Sequence, residues 1–91
     1  MIISTVAPKT KRIIADTLGI DQRLLTYDTH LQHDLGADSL DVLEVITMLE
    51  NEFGFSVPNE RIERIKRVGD LIKYFEETKF VPLHAQTVQA A

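Results

Sequence analysis

At 91 residues, with 44% apolar and 26% charged side chains, the chain has the size and balance of one modest globular domain, not of a disordered segment. It has no Cys, which excludes disulfide scaffolds, Cys-ligated zinc and thiol nucleophiles. No apolar run approaches the length of a membrane span. The net charge is −4, yet no Lys or Arg lies between Arg23 and Arg61, a stretch holding Asp28, Asp34, Asp38, Asp41, Glu44, Glu50, Glu52 and Glu60. Such an acidic block repels nucleic acid and anionic membranes and steers basic proteins towards it, or it is simply a solvated helix face. Lys9, Lys11 and Arg12 follow only a short apolar start, the reverse of a signal peptide, so a cytoplasmic protein is expected.

The pattern is helical, without internal repeats or useful strand-like alternation. Ser4 or Thr5 is placed to cap a first helix running to about Leu18, with Pro8 tolerated in its first turn. Its buried stripe is Val6, Ile13, Ile14 and Leu18, diluted by Thr10 and Thr17, and Gly19 stops it. A long connection follows over about 20–38, with Leu24, Leu31 and Leu35 expected as its anchors into the core. A connection this long in a small domain is functional or partly helical.

The second helix is expected over 39–53. Val42, Val45, Ile46, Leu49 and Phe53 share one stripe at i, i+3, i+4, i+7 and i+11. Gly54 ends it, and 55–58 form an extended link because Pro58 disfavours helix before it. Asn59 is expected to cap a short third helix, with Ile62 and Ile65 inward and Arg61, Arg64 and Lys66 outward. A fourth helix is expected over 68–77, with Val68, Leu71, Ile72 and Phe75 inward. The reading is all-α: a small four-helix bundle, three longer helices and a short third, with a long connection between the first two. The domain spans 1–77, and the tail 78–91 is expected to be disordered.

Ser39 falls at the start of the second helix, after the tight turn at Gly36. It reads as the N-cap, without a capping box because the third residue on is Val42. A helix start also stabilises phosphate through its free N–H groups. Ser39 is therefore either a plain cap or a hydroxyl that carries a phosphoryl-linked group. Leu40 and Leu43 lie outside the buried stripe, beside Glu44 and Thr47 and rimmed by Asp38 and Asp41, as on a docking surface. The alternative is that Leu40 packs beneath the long connection.

Asp34-Leu35-Gly36-Ala37-Asp38-Ser39-Leu40-Asp41 resembles the signature of the acyl carrier proteins. The resemblance runs in register over about 4–77, through Ile13-Ile14, Leu18-Gly19, Glu44, Leu49, Glu50, Glu52, Phe53, Val57-Pro58, Ile65, Val68-Gly69-Asp70 and Tyr74. It implies a stand-alone, non-catalytic carrier. Ser39 would receive 4′-phosphopantetheine from coenzyme A through a phosphopantetheinyl transferase. Acyl groups would then ride as thioesters on the arm's thiol, in fatty-acid or a specialised lipid or polyketide pathway. It further implies docking of Asp38, Leu40, Asp41, Leu43, Glu44, Thr47, Glu50 and Glu52 on basic patches of the transferase and of acyl-loading and synthase enzymes. An acyl pocket would be lined by Leu31, Ile46, Leu49, Phe53, Ile62, Ile65 and Leu71, which could equally be plain core. A monomer is expected, with no nucleic-acid partner and no stable membrane association.

Three features depart from that family. The segment 60–67 is basic, from Arg61, Arg64, Lys66 and Arg67 against Glu60 and Glu63. It suits either a specialised partner or i, i+3 and i, i+4 ion pairs worth tenths of a kcal/mol each. Arg67 stands where Thr commonly caps the fourth helix, so that helix start is expected to fray. Thr47 replaces an apolar residue. Rival chemistry is thin: His30, His33 and Asp34 invite a metal but lack a fourth ligand. A hydrolase built on Ser39 and His33 lacks the G-x-S-x-G elbow. An aminoacyl or peptidyl carrier, and a scaffold with Ser39 unmodified, stay open.

Overall fold

The computed structural model describes residues 5–79. Among the described residues four helices run in order: α1 Val6–Leu18, α2 Ser39–Phe53, α3 Asn59–Ile62 and α4 Val68–Lys79, with a 3-10 turn at Gln22–Leu24 in the long connection. Among the described residues there are no strands, only an isolated bridge between His30 and Arg67. None of these helices is long and apolar enough to cross a membrane. Helix α4 ends two residues beyond the expected Glu77. Ser4 and the tail beyond Lys79 lie outside the described residues.

The core forms where α1 packs on α2 and α4. Val6, Ile14, Val45, Ile46, Leu49, Val68, Leu71, Ile72 and Phe75 are essentially inaccessible, and each fully buried aliphatic or aromatic side chain contributes about 2 kcal/mol. Phe53 is only half-buried, yet its ring meets Phe75 at 5.1 Å between centroids. On α1 the most deeply buried positions are Val6, Thr10 and Ile14, spaced i, i+4, i+8, while Ile13 and Leu18 lie at the margin. Thr10 is thus a core residue, and its hydroxyl has no hydrogen-bond partner. Thr5 precedes the helix in a helical conformation, so its side chain makes no cap.

The long connection is anchored by Leu25 and Leu31, with Leu35 half-buried. Leu24, expected to be an anchor, is 67% exposed. The reason is local: the Asp21 carboxylate accepts from the Arg23 N–H at 2.8 Å, which winds Gln22–Leu24 outward. Leu25, the first extended residue after that turn, takes the inward place.

The connection is then stitched to the α3–α4 turn. The Leu31 N–H donates to the Lys66 carbonyl, Val68 N–H to Thr29, and Gly69 N–H to Tyr27, each at 2.9 Å. The approach at Gly69 is so close that a Cβ would stand 2.9 Å from the Tyr27 carbonyl oxygen. Arg67 adds a side-chain tie, its Nη1 donating to the Asp28 carbonyl at 2.6 Å. The start of α4, expected to fray, is therefore held. Asp70 Oδ2 accepts from the Lys66 and Arg67 N–H groups, both at 2.9 Å, while the first N–H groups of the helix, which a Thr cap would have served, are taken by the carbonyls of Thr29, Tyr27 and Arg67.

Helix α3 is a single turn. Asn59 is its first residue rather than its cap; Pro58 stands before it, and the Pro58 carbonyl accepts from Arg61 and Ile62. Ile65 is buried, but from the turn that follows and not from the helix. The link 55–58 is secured by Glu50, whose Oε2 accepts from the Val57 N–H at 2.6 Å. Tyr74 secures it too, its hydroxyl donating to the Ser56 carbonyl at 2.9 Å.

Candidate functional site

The segment 30–37 is a compact turn held by its own side chains. Asp34 Oδ2 accepts from the His30 N–H at 2.7 Å. His30 Nδ1 accepts from the N–H groups of Gln32 and His33 at 3.2 and 3.0 Å. Partial burial, and then the positive charge of His33 and Arg67, hold the His30 imidazole below its ordinary value of 6.5. His30 and His33 stack edge to face. Among the described residues no group of three or more His, Cys, Asp or Glu could hold a metal ion. Gly36, at φ +72°, makes the reversal that only Gly tolerates freely. Ala37 turns into the core and brings the chain to α2.

The cap of α2 is Asp38, one residue earlier than expected. Asp38 Oδ1 accepts from the Asp41 N–H at 2.9 Å, and Asp41 Oδ2 accepts from the Asp38 N–H at 3.2 Å. That is a reciprocal capping box, with Asp supplying the return bond that Glu or Gln more often makes. The sequence expectation of no box counted from Ser39 and so missed it. Ser39 is instead the first helical residue, exposed, and its hydroxyl takes no part in the cap. Nor do the N–H groups of Ser39 and Leu40, which remain at the positive end of the helix. An exposed hydroxyl beside N–H donors outside the cap is an arrangement that suits an attached phosphoryl group.

A cleft of about 240 Å³ opens at Ser39. Leu31, Val42, Leu43, Ile62 and Ile65 give it apolar walls; Gln32, Glu63 and Lys66 join Ser39 as its polar lining. It lies between the start of α2 and the α3–α4 turn.

Residues 9–75 match the family described as phosphopantetheine attachment site. The chain belongs to the acyl carrier protein family. The carrier is similar in structure to the acyl carrier protein from Enterococcus faecalis, with 34% sequence identity and a TM-score of 0.67 over 77% of this chain and 89% of that one. Covalent attachment of 4′-phosphopantetheine is the defining property of this domain, and the domain is a carrier, not an enzyme. Members of the family work with phosphopantetheinyl transferases and synthase enzymes. The exposed Ser39 and the free N–H groups beside it fit that group.

The structure sorts the other expected site residues of the carrier. Leu40 is 75% and Leu43 43% exposed, so Leu40 does not pack beneath the connection. Asp38 and Glu44 are exposed and Asp41 is half-buried. Thr47 is exposed, with its Oγ1 donating to the Leu43 carbonyl at 2.9 Å. Glu50 is half-buried and engaged by Val57, and Glu52 pairs with Lys9 at 3.2 Å. Both acids are tied to the fold, unlike Glu44. Of the seven expected pocket residues, only Leu31, Ile62 and Ile65 line the cleft. Ile46, Leu49 and Leu71 are sealed in the packed core, and Phe53 lies against Phe75. Sequence reasoning missed Val42, Gln32, Glu63 and Lys66 as cleft residues and Met48 as an exposed side chain on α2. Val42 was hidden by its place in the buried stripe.

Proposed function

We propose that Ser39 carries the 4′-phosphopantetheine arm and that the cargo is an acyl group belonging to a fatty-acid, specialised lipid or polyketide pathway. One observation carries this reading: Asp38 and Asp41 cap α2, which leaves the Ser39 hydroxyl exposed and uncommitted. When attached, the arm supplies a thiol on which an acyl group is held as a thioester. The chain's own residues do the rest. The capping box fixes the backbone from which the hydroxyl projects. The N–H groups of Ser39 and Leu40 and the positive end of α2 stabilise a phosphodiester at that position.

Leu31, Val42, Leu43, Ile62 and Ile65 shield apolar parts of arm or cargo in the cleft, whose 240 Å³ amounts to about eight water-sized volumes. On this reading the cargo lies at the cleft and not among Ile46, Leu49 and Leu71. Asp38, Asp41 and Glu44, with Leu40 and Leu43 between them, form the face that meets basic patches of the transferase and synthases. Such pairing sets encounter rate and specificity and weakens with salt.

The test is intact mass after incubation with coenzyme A and a broad-specificity phosphopantetheinyl transferase, beside Ser39→Ala. One added arm, absent from Ser39→Ala, is expected. No addition to folded protein, or addition that persists in Ser39→Ala, would overturn the assignment.

A further inference from the structure

Arg61 and Arg64 lie outside the Ser39 cleft and form no ion pair among the described residues. In a continuous helix Glu60 and Glu63 would face Arg64 and Arg67 at i, i+4. Helix α3 stops at Ile62, however, and the ion pairs among the described residues are Lys9–Glu52 and Arg23–Asp21. Asp70 accepts from two backbone N–H groups and forms no ion pair among the described residues.

Arg61, Arg64 and Lys73 instead surround a second cleft, of about 320 Å³, with Tyr74 in its wall and Asp70 and Glu77 also on its lining. Tyr74 is fixed at both ends. Its hydroxyl is bonded to the Ser56 carbonyl, and the Arg61 guanidinium lies over its ring at 4.9 Å. Ile65 lines this cleft and the one at Ser39 alike, so the two adjoin.

We propose that this second cleft is a docking site for an acidic segment of a protein partner, opposite in sign to the α2 face. Guanidinium groups bind carboxylates through paired N–H donors. A volume of 320 Å³, about ten water-sized volumes, admits one or two Asp or Glu side chains. Extended polyanions are disfavoured, because a nucleic acid or an anionic membrane would also meet the eight-acid stretch beginning at Asp28. A short acidic segment enters without meeting it. The site makes the carrier two-signed: a partner with a basic patch and an acidic segment would be held in one orientation across the mouth of the Ser39 cleft. The proposal does not depend on the modification of Ser39.

The test is a chemical-shift titration of the full ¹⁵N-labelled chain with hexaglutamate at low salt, repeated with the double variant Arg64→Glu, Lys73→Glu. Both residues are exposed; Arg61 is kept because it covers Tyr74. Hexaglutamate is expected to move the amides of residues 61–74, with affinity at least about tenfold weaker in the double variant. Phosphopantetheine loading of that variant, read by intact mass, is expected to be unchanged, which separates this test from that of Ser39. Hexaglutamate shifts that are absent, or equal in the double variant, would overturn the proposal. So would tighter binding of inorganic phosphate or of phosphatidylglycerol vesicles to the same residues.

Discussion

Asp38→Ala and Ser39→Ala, compared side by side, separate the cap of α2 from the hydroxyl proposed to bear the arm. Asp38→Ala removes the acceptor for the Asp41 N–H, a loss of about 1 kcal/mol. It also removes an acid from the positive end of the helix, about another 0.5 kcal/mol. Ser39→Ala breaks no cap bond, since Asp38 and Asp41 satisfy each other. It gains up to about 0.5 kcal/mol of helix propensity. For a domain of this size each kcal/mol moves Tm by about 4–8 °C. Asp38→Ala should therefore lower Tm by about 5–15 °C, and Ser39→Ala should leave it within about 3 °C. Thermal and urea unfolding followed by circular dichroism at 222 nm read both. If Ser39→Ala proved as costly as Asp38→Ala, the hydroxyl would be part of the cap and the argument for its freedom would fail.

Thr10→Val keeps the shape of a fully buried side chain and deletes its unpartnered hydroxyl. It should stabilise the fold by about 1 kcal/mol, seen as a higher urea midpoint, and a lower midpoint would contradict the burial argument. The His30 prediction concerns pH. Its folded-state pKa lies below 6.5, from partial burial first and then the charges of His33 and Arg67, with Lys66 adding to them and Asp34 opposing. Protonation would also take Nδ1 from the Gln32 and His33 N–H groups. Below 6.5 the unfolded chain thus binds a proton that the folded chain resists, and stability falls as pH drops through that region. Urea midpoints between about pH 7.5 and 5.5, above the range where carboxylates titrate, should decline in the parent chain. They should decline less in His30→Asn; equal slopes would assign the effect elsewhere.

Much of this was legible in the residues because helices announce themselves by period. The stripe from Val42 to Phe53 placed α2 at the bounds observed, since five apolar positions on one face leave little choice of register. Irregular segments carry no such period. Leu24 and Leu25 are equivalent as letters, and only the Asp21–Arg23 turn decides which enters the core. Asp38 and Ser39 are both good cap residues; the expectation took Ser39, one residue late, and the reciprocal bonds between Asp38 and Asp41 identify Asp38 as the cap. In the pocket, the apolar pattern marked which residues turn inward. It could not separate Ile46, Leu49 and Leu71, which close-pack, from Leu31, Ile62 and Ile65, which line a cleft. That distinction depends on how far α2 stands from the α3–α4 turn. The ion pairs weighed for Glu60 and Glu63 needed a second helical turn that 63–66 do not form.

The backbone bonds that tie Leu31, Val68 and Gly69 to their carbonyls join positions 35 to 42 apart in the chain. Contacts so distant must await closure of a long loop, whereas helices begin locally within each segment. The groove at Ser39 has one wall on each side of that seam, so it comes into being only when the seam closes. A half-folded chain can display the acidic helix and the serine, but it has no groove to offer. A partner that binds the groove as well as the helix therefore binds only the completed fold.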